Sequence, residues 1–270
     1  MNSRITILGL GWLGLPLADA LQKDNYQIKG TTTSEGKLKK LKQDNYDVFK
    51  VILEEESVEG SIEQCLDGSD TLILNTPPGL RRNPSSNYVA KIKNLIPYIE
   101  SAGIKNVLFI GSTSVFKEEE CFLEITNETK PNSESNSGLQ LQKVEQMLVG
   151  NINFKTTILR FAGLVDESRH PATMISKRES VPNPKGLINL IHRDDCIGII
   201  KAILKQNKWC QVFNAAYPLH IEKEVYYSKI CAQKRLNTPD FSYKNKSLGK
   251  IINGNNTSKL LNYEYKNSIL

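Results

Sequence analysis

Residues 5–14 read ITILGLGWLG, and no other stretch of the 270 limits the fold as tightly. A continuous apolar run closed by glycine suits a strand buried on both faces, as in a parallel sheet. The residues that follow place Leu13, Leu17 and Leu21 on one helical face. YQIKGTTT then reads as a second strand. Glycines at 9, 11 and 14 therefore form G-x-G-x-x-G between a buried strand and a helix. In that context the pattern predicts a loop that holds a dinucleotide. Gly9 permits the tight turn, Gly11 lets the backbone approach a pyrophosphate, and Gly14 lets helix and strand pack closely. The phosphate charge would meet the N–H groups of the helix start.

A secretory signal is the competing reading of the same residues. Arg4 precedes the apolar run, and Ala18-Asp19-Ala20 imitates a cleavage site. Three glycines interrupt the run, however, where a signal would carry leucines. The run also falls short of the roughly 20 apolar residues that a membrane span needs. We expect neither a signal nor a span.

The loop itself implicates Gly9, Gly11, Trp12, Leu13 and Gly14 in cofactor binding. Trp12 is expected to pack against the cofactor or a neighbouring lobe and to carry no chemistry. The end of the second strand should reveal which dinucleotide is held. An NAD site places Asp or Glu there for the ribose 2′-hydroxyl. KGTTTSEGKLKK has no acid from Gly30 to Thr33. The hydroxyls of Thr31, Thr32, Thr33 and Ser34 and the cation of Lys37 suit a 2′-phosphate instead. NADP is therefore expected, with NAD possible; Glu35 is the residue that argues for NAD. Asn75, Thr76 and Pro77, at the end of a later strand, complete the expected cofactor contacts.

Strand and helix alternate along the chain. KLKKLKQDNY is helical, DVFKVI a third strand, SIEQCL a helix and DTLILNTPP a fourth strand. NYVAKIKNLIPYIESAG is a helix that stops at Gly103. KNVLFIGSTSVF is a fifth strand, SGLQLQKVEQMLVG a helix and FKTTILRFAGLV a sixth strand. This order predicts an α/β fold with a Rossmann-type doubly wound parallel sheet. The core should cover residues 1–165. Residues 166–270, where the pattern loosens, should form a small C-terminal substrate lobe, with some segments returning to the core and the lobe closing over a cleft.

Composition excludes several classes. Hydrophobic content of 39% and charged content of 24% are ordinary for a globular protein. Net charge is +6, but lysine and arginine are spread along the chain, so no nucleic acid is expected. A mild positive field favours an anionic cofactor or substrate. The five cysteines are odd in number and lack any CxxC pair, so neither disulfides nor a zinc site is expected, and reduced thiols fit the cytoplasm. His170, His192 and His220 lack ligand spacing, so no metal is expected.

GLGWLGLPLA resembles the opening of nucleotide-sugar 6-dehydrogenases. Those enzymes need a longer chain and a nucleophilic cysteine in a second domain. Nearly end to end, the chain instead resembles the extended short-chain dehydrogenase/reductase superfamily, the NAD-dependent epimerase/dehydratase group. FIGSTSVF resembles its fifth-strand signature, in which Ser112 would help polarise a substrate carbonyl. ILRFAGLV resembles the sixth strand and its cofactor-side loop, VFNAA the next strand, and NLIHRDDCIGII the motif tying the substrate lobe to the sheet. GLGWLG, STSVF, NSG, AGLV, RHP and GKII are similar to the bacterial YeeZ-type atypical members.

The resemblance also exposes a departure. Active members carry Tyr-x-x-x-Lys after the fifth strand. Matching SGLQLQKVE to that motif puts Ser137 in the tyrosine place and Leu141 in the lysine place. Lys143 lies two residues on, about 200° round the helix, and cannot simply substitute. The missing acid–base help is typically worth 10²–10⁴-fold in rate. Ser112, Ser137 and His170 remain as candidate catalytic residues, with Arg81, Arg82 and Arg169 as candidate contacts to an anionic or sugar-like small molecule. By resemblance His192, Asp194 and Asp195 anchor the lobe, and Asp194 is expected to cap the helix it begins. An atypical oxidoreductase and a non-catalytic dinucleotide-binding sensor or scaffold both fit. The superfamily also implies a possible homodimer through the helices of the fourth and fifth units.

Overall fold

A computed structural model describes residues 3–80 and 82–270. Its elements run β1 (Arg4–Leu8), α1 (Gly14–Lys23), β2 (Gln27–Thr32), α2 (Glu35–Gln43), β3 (Asp47–Leu53), β4 (Val58–Gly60), α3 (Ile62–Leu66), β5 (Thr71–Leu74), α4 (Tyr88–Ser101) and β6 (Asn106–Ser112). A 3₁₀ turn at Thr113–Val115 leads to β7 (Leu123–Ile125), α5 (Asn136–Val149), β8 (Lys155–Phe161), β9 (Gly163–Val165), α6 (Ala172–Ile175) and β10 (Val181–Pro182). The chain ends with β11 (Leu190–His192), α7 (Arg193–Lys205), β12 (Val212–Ala215), α8 (Lys223–Gln233), β13 (Phe241–Ser242), β14 (Lys250–Ile252) and α9 (Gly254–Leu261).

The expected doubly wound sheet is present. Its strand order is β12-β8-β6-β5-β1-β2-β3-β4. β1 pairs in parallel with both β2 and β5, in the registers Ile7↔Gly30 and Ile7↔Ile73. The winding therefore reverses between β1 and β5, and ligands of such sheets sit outside the strands' carboxyl ends at that reversal. Ile5, Ile7, Leu8, Leu72, Ile73, Leu74, Val107, Leu108 and Phe109 are all buried, as continuous apolar strands covered on both faces require.

The chain divides into two compact units. The first comprises Met1–Val115, Glu134–Leu159 and Ile203–Val212; the second comprises Phe116–Ser133, Arg160–Ala202 and Phe213–Leu270.

Three local readings differ from expectation. The sixth strand was read through to Val165, but it ends at Phe161. Beyond Ala162 the chain pairs with β11 instead, in the register Gly163↔Leu190 to Val165↔His192. A Cβ at Gly163 would stand 2.7 Å from Leu190 Cδ2 and 3.2 Å from Asn189 O, so any larger residue here must displace the end of the Leu190 side chain. Antiparallel β4 was not anticipated; three residues, two of them polar or glycine, carry no alternation to read. Finally, Asp194 does not cap α7. It lies in the first turn, and its amide donates to Nδ1 of His192 at 3.2 Å.

Asp195 instead performs the anchoring within the second unit. It is fully buried and accepts from Tyr263 Oη at 2.7 Å, Lys266 N at 2.9 Å and Asn267 N at 3.0 Å.

Candidate functional site

The glycine loop leaves β1 at the sheet's reversal. Gly9 has φ +108°, a left-handed value that disfavours any side chain. A Cβ there would also stand 2.7 Å from the carbonyl oxygen of Asn75, at the end of β5. Asn75 Nδ2 donates to Gly9 O at 3.1 Å, and Asn75 N to Leu8 O at 3.1 Å. A Cβ on Gly14 would meet Gly9 O at 2.1 Å, so this glycine sets how closely α1 rests on the loop. Gly11 differs. It is exposed, and nothing lies within 4 Å of where its Cβ would be.

The start of α1 is open. Leu13, in the cap position, supplies no side-chain hydrogen bond, and the first turn contains no acid. Leu13 and Gly14 are buried, and Trp12 is half-buried. Thr76 Oγ1 is buried without a hydrogen-bond partner among the described residues, and its Cγ2 would lie 3.7 Å from a Gly9 Cβ. The buried Tyr88 hydroxyl donates to Thr76 O at 2.9 Å and holds this turn in place. Pro77 is exposed. Uncapped amides, open space at Gly11 and an orphaned hydroxyl at Thr76 fit a diphosphate.

The end of β2 folds back toward the loop. Thr31 is buried, and its Oγ1 accepts from Gly9 N at 2.9 Å. Its hydroxyl therefore belongs to the loop's own framework. Thr32 is also buried, with Oγ1 accepting from Ser34 N at 3.3 Å. Ser34 caps α2 by accepting from Lys37 N at 3.4 Å. Thr33 is exposed. Lys37 Nζ donates to Leu10 O, which brings the cation from the first turn of α2 to the glycine loop. The carboxylate of Glu35 lies 3.3 Å from Lys50 Nζ. The first acid in sequence after this strand end is thus engaged by a lysine.

Ser112 closes β6. It is half-buried, and its Oγ accepts from Ser114 N at 3.2 Å. The neighbouring α5 packs on β6 and on the 3₁₀ turn. Ser135 caps α5 by accepting from Gly138 N at 3.1 Å. Ser137, half-buried, sits in its first turn. Leu141 is 3% exposed and points into the core, whereas Lys143 is exposed. Gln140, which sequence reasoning passed over, fixes this helix to the preceding loop. It accepts from Tyr88 N at 2.7 Å and donates to Ser86 O at 3.1 Å.

In the second unit His170 is buried, and protein groups occupy both of its nitrogens. Nδ1 accepts from Ala172 N at 3.1 Å, which leaves the proton on Nε2, 3.0 Å from Tyr226 Oη. Tyr226 Oη donates in turn to Ile269 O at 2.6 Å. Burial, helped by Lys234, lowers the imidazole pKa to about 4. This is a packed, neutral histidine with no nitrogen open to a substrate. Arg169 and Arg82 are exposed, and Arg81 lies outside the described residues.

A separate hollow of about 480 Å³ opens near Tyr26, Lys105 and Trp209. It lies at the strands' amino ends, away from the loop, where sheets of this kind do not hold their ligand.

Comparison with known proteins agrees with this geometry. Residues 9–207 match a family described as NAD(P)H-binding. The chain is 30% identical over 266 residues to Protein YeeZ of Escherichia coli K12, covering 97% of this chain and 96% of that protein. Among solved structures, a functionally unknown conserved protein from Silicibacter pomeroyi superposes with a TM-score of 0.78 at 16% identity, covering 98% of this chain and 94% of that one. UDP-glucuronic acid 4-epimerase from Bacillus cereus, in complex with NAD, gives 0.76 at 17% identity, with coverage of 98% and 92%. MoeE5, in complex with UDP-glucose and NAD, gives 0.77 at 12%, with coverage of 99% and 95%. At such identities these structures establish the fold. Among the described residues, no helix is long and apolar enough to cross a membrane.

Proposed function

Because this chain belongs to the NAD(P)H-binding family, we propose that it is an atypical oxidoreductase acting without the Tyr-x-x-x-Lys pair. It holds NADP(H) in preference to NAD(H) and acts on a small anionic or sugar-like substrate, in the cytoplasm, where its free thiols stay reduced.

The observation that carries this reading is the open start of α1 beside Gly11 and the orphaned Thr76 hydroxyl. Amides of Trp12, Leu13 and Gly14 would face the diphosphate. Thr33, Ser34 and Lys37 would meet the 2′-phosphate, while Thr31 and Thr32 shape the turn beneath. Asn75 and Pro77 would border the cofactor. When bound, the nicotinamide supplies or accepts a hydride.

Ser112 donates its hydroxyl hydrogen to a substrate carbonyl and so polarises it, while the Ser114 amide holds its Oγ in place. Ser137 stands at the start of α5 as a second hydroxyl. His170 keeps the second unit packed and moves no proton. Two structural neighbours are in complex with NAD, and one of these also with UDP-glucose; a substrate of that chemistry, a sugar carrying negative charge, is the class proposed here. Self-association through α4 and α5 is consistent with exposed Leu139 and Val149 on α5.

One observation favours a second reading. Leu141 is buried in the core where the lysine would stand, so no cation replaces it from that position. A protein that binds the dinucleotide without turnover, as a sensor or scaffold, has this property too.

Fluorescence titration with NADPH and NADH, followed by a screen for NADPH oxidation against anionic and sugar-nucleotide carbonyl compounds, separates the two. Turnover abolished by Ser112→Ala supports the oxidoreductase. Tight binding with no turnover across the panel supports the sensor.

A further inference from the structure

The side-chain amide of Gln140 joins α5 to the start of α4, across 52 residues of sequence. Its Oε1 accepts from Tyr88 N at 2.7 Å, and its Nε2 donates to Ser86 O at 3.1 Å and to Asn136 Oδ1 at 3.0 Å. An oxygen must face the Tyr88 N–H and an amino group the two oxygens, so the amide has one orientation. Tyr88 is the first residue of α4. Its N–H is one of the four that a helix start leaves without an intrahelical partner. Asn87 accepts from Ala90 N in the same turn, and Gln140 completes the cap from another helix.

From that cap a line of contacts runs to the cofactor turn. The Tyr88 side chain is buried, and its hydroxyl donates to Thr76 O at 2.9 Å. Where α4 begins therefore decides where this hydroxyl reaches, and the hydroxyl holds the peptide that follows β5. In the same turn Asn75 Nδ2 donates to Gly9 O at 3.1 Å, and Thr76 Oγ1 is buried without a hydrogen-bond partner among the described residues. In the other direction Gln140 belongs to the start of α5, where the exposed Asn136 also donates to Pro84 O at 2.9 Å. At 100° per residue, Ser137 lies about 60° round the helix from Gln140, and Leu141 about 100° in the same sense. Ser137 thus stands between the face that holds the β5–α4 segment and the face that buried Leu141 turns to the core. All of these residues belong to the first compact unit.

We propose that Gln140 is a positioning residue for the dinucleotide: acting through Tyr88, it holds Thr76 against the glycine loop. By the same bonds it joins the helix that carries Ser137 to the cofactor turn. This role rests on the reading that places the diphosphate beside Gly11 and Thr76, and it adds a residue that acts there at one remove.

The test is a double-mutant cycle on NADPH affinity, measured by fluorescence titration of the full chain. Gln140→Met removes all three bonds of the amide, and Tyr88→Phe removes only the hydroxyl. Each should weaken NADPH binding by about threefold to tenfold, and the double variant should bind about as the weaker single variant does. Asn136→Ala cuts bonds to Gln140 and Pro84 but spares the line to Thr76, so its affinity should stay within about twofold of the parent. Gln140→Asn keeps the amide but is one methylene short of Tyr88 N. It should show the same loss, and it takes the place of Gln140→Met if that variant does not fold. A Gln140 variant that melts earlier yet binds NADPH as the parent does is merely structural and overturns the role; so do losses that add in the double variant. If the parent binds no NADPH, or Gly11→Ala binds it as tightly as the parent, the dinucleotide reading falls and takes this role with it. If Gly11→Ala loses NADPH while Gln140→Met keeps it, the role alone falls.

Discussion

The amide of Gly9 donates to the hydroxyl of Thr31 at 2.9 Å, across 22 residues of sequence. The next amide, Leu10 N, donates to Thr31 O at 2.8 Å. One threonine therefore clamps the glycine loop to β2 through both its side chain and its backbone. Thr31→Val keeps shape and burial but removes the side-chain acceptor. Leaving a part-buried N–H unmatched costs about 1–3 kcal/mol. We expect a loss of about 1–2 kcal/mol in urea unfolding and NADPH binding weaker by about threefold to tenfold. A variant as stable and as tight-binding as the parent would show that the clamp contributes nothing.

The three glycines of the loop should respond differently to the same methyl group. At Gly14 a Cβ would overlap Gly9 O at 2.1 Å, so α1 must move off the loop. Gly14→Ala should cost about 2–3 kcal/mol or more, as overpacking against backbone does. At Gly11 the methyl enters open space. Gly11→Ala should melt as the parent does but bind NADPH at least tenfold more weakly, since the methyl occupies the diphosphate's place. Thermal melts and fluorescence titrations of both variants check this. Equal binding by Gly11→Ala and the parent would move the diphosphate elsewhere.

The difference between these residues explains how much of the molecule was legible beforehand. Gly9, Gly11 and Gly14 carry their geometric demand in their own identity, and the apolar strands around them carry theirs in an unbroken run. The sheet and its reversal followed from both. Thr31 read as one hydroxyl among four because its partner is 22 residues away. His170 stood as one candidate among three because nothing local announces Ala172 N and Tyr226, which meet its two nitrogens. Strands of two or three residues, such as β4, β9 and β13, pair through tertiary contacts and have no period to detect.

Cofactor preference rests on Lys37. Its Nζ lies at Leu10 O, and its backbone amide is tied to Ser34, so the cation is held where β2 and the glycine loop meet. A charge-assisted bond to a 2′-phosphate is worth about 1.5–3 kcal/mol. NADPH should therefore bind about tenfold to a hundredfold more tightly than NADH. Lys37→Gln should remove most of that difference while changing NADH affinity by less than about twofold. Parallel titrations of both dinucleotides give the ratio directly. A parent protein that prefers NADH would assign the strand end to a ribose hydroxyl instead.

His170 makes the second unit sensitive to acid in a defined direction. Its pKa is lowered to about 4 by burial and by Lys234, against an ordinary value near 6.5. The unfolded chain therefore takes up this proton before the folded one does. The contribution to stability is complete above about pH 6.5, declines as the pH falls toward 4, and levels off below that. Its size is on the order of 3 kcal/mol. Protonation also breaks the chain of bonds around the ring. Nδ1 can no longer accept from Ala172 N, whose amide then faces a second N–H, while Nε2 still donates to Tyr226 Oη. His170→Asn offers Ala172 an acceptor but does not titrate. It should be less stable than the parent at pH 7 and show a shallower fall between pH 6.5 and 4. A residual slope should remain from His220, whose pKa burial also lowers. Urea unfolding at half-unit pH intervals measures both curves. Identical slopes would mean that the imidazole takes its proton in the folded state as readily as in water, and the packed, neutral assignment would fail.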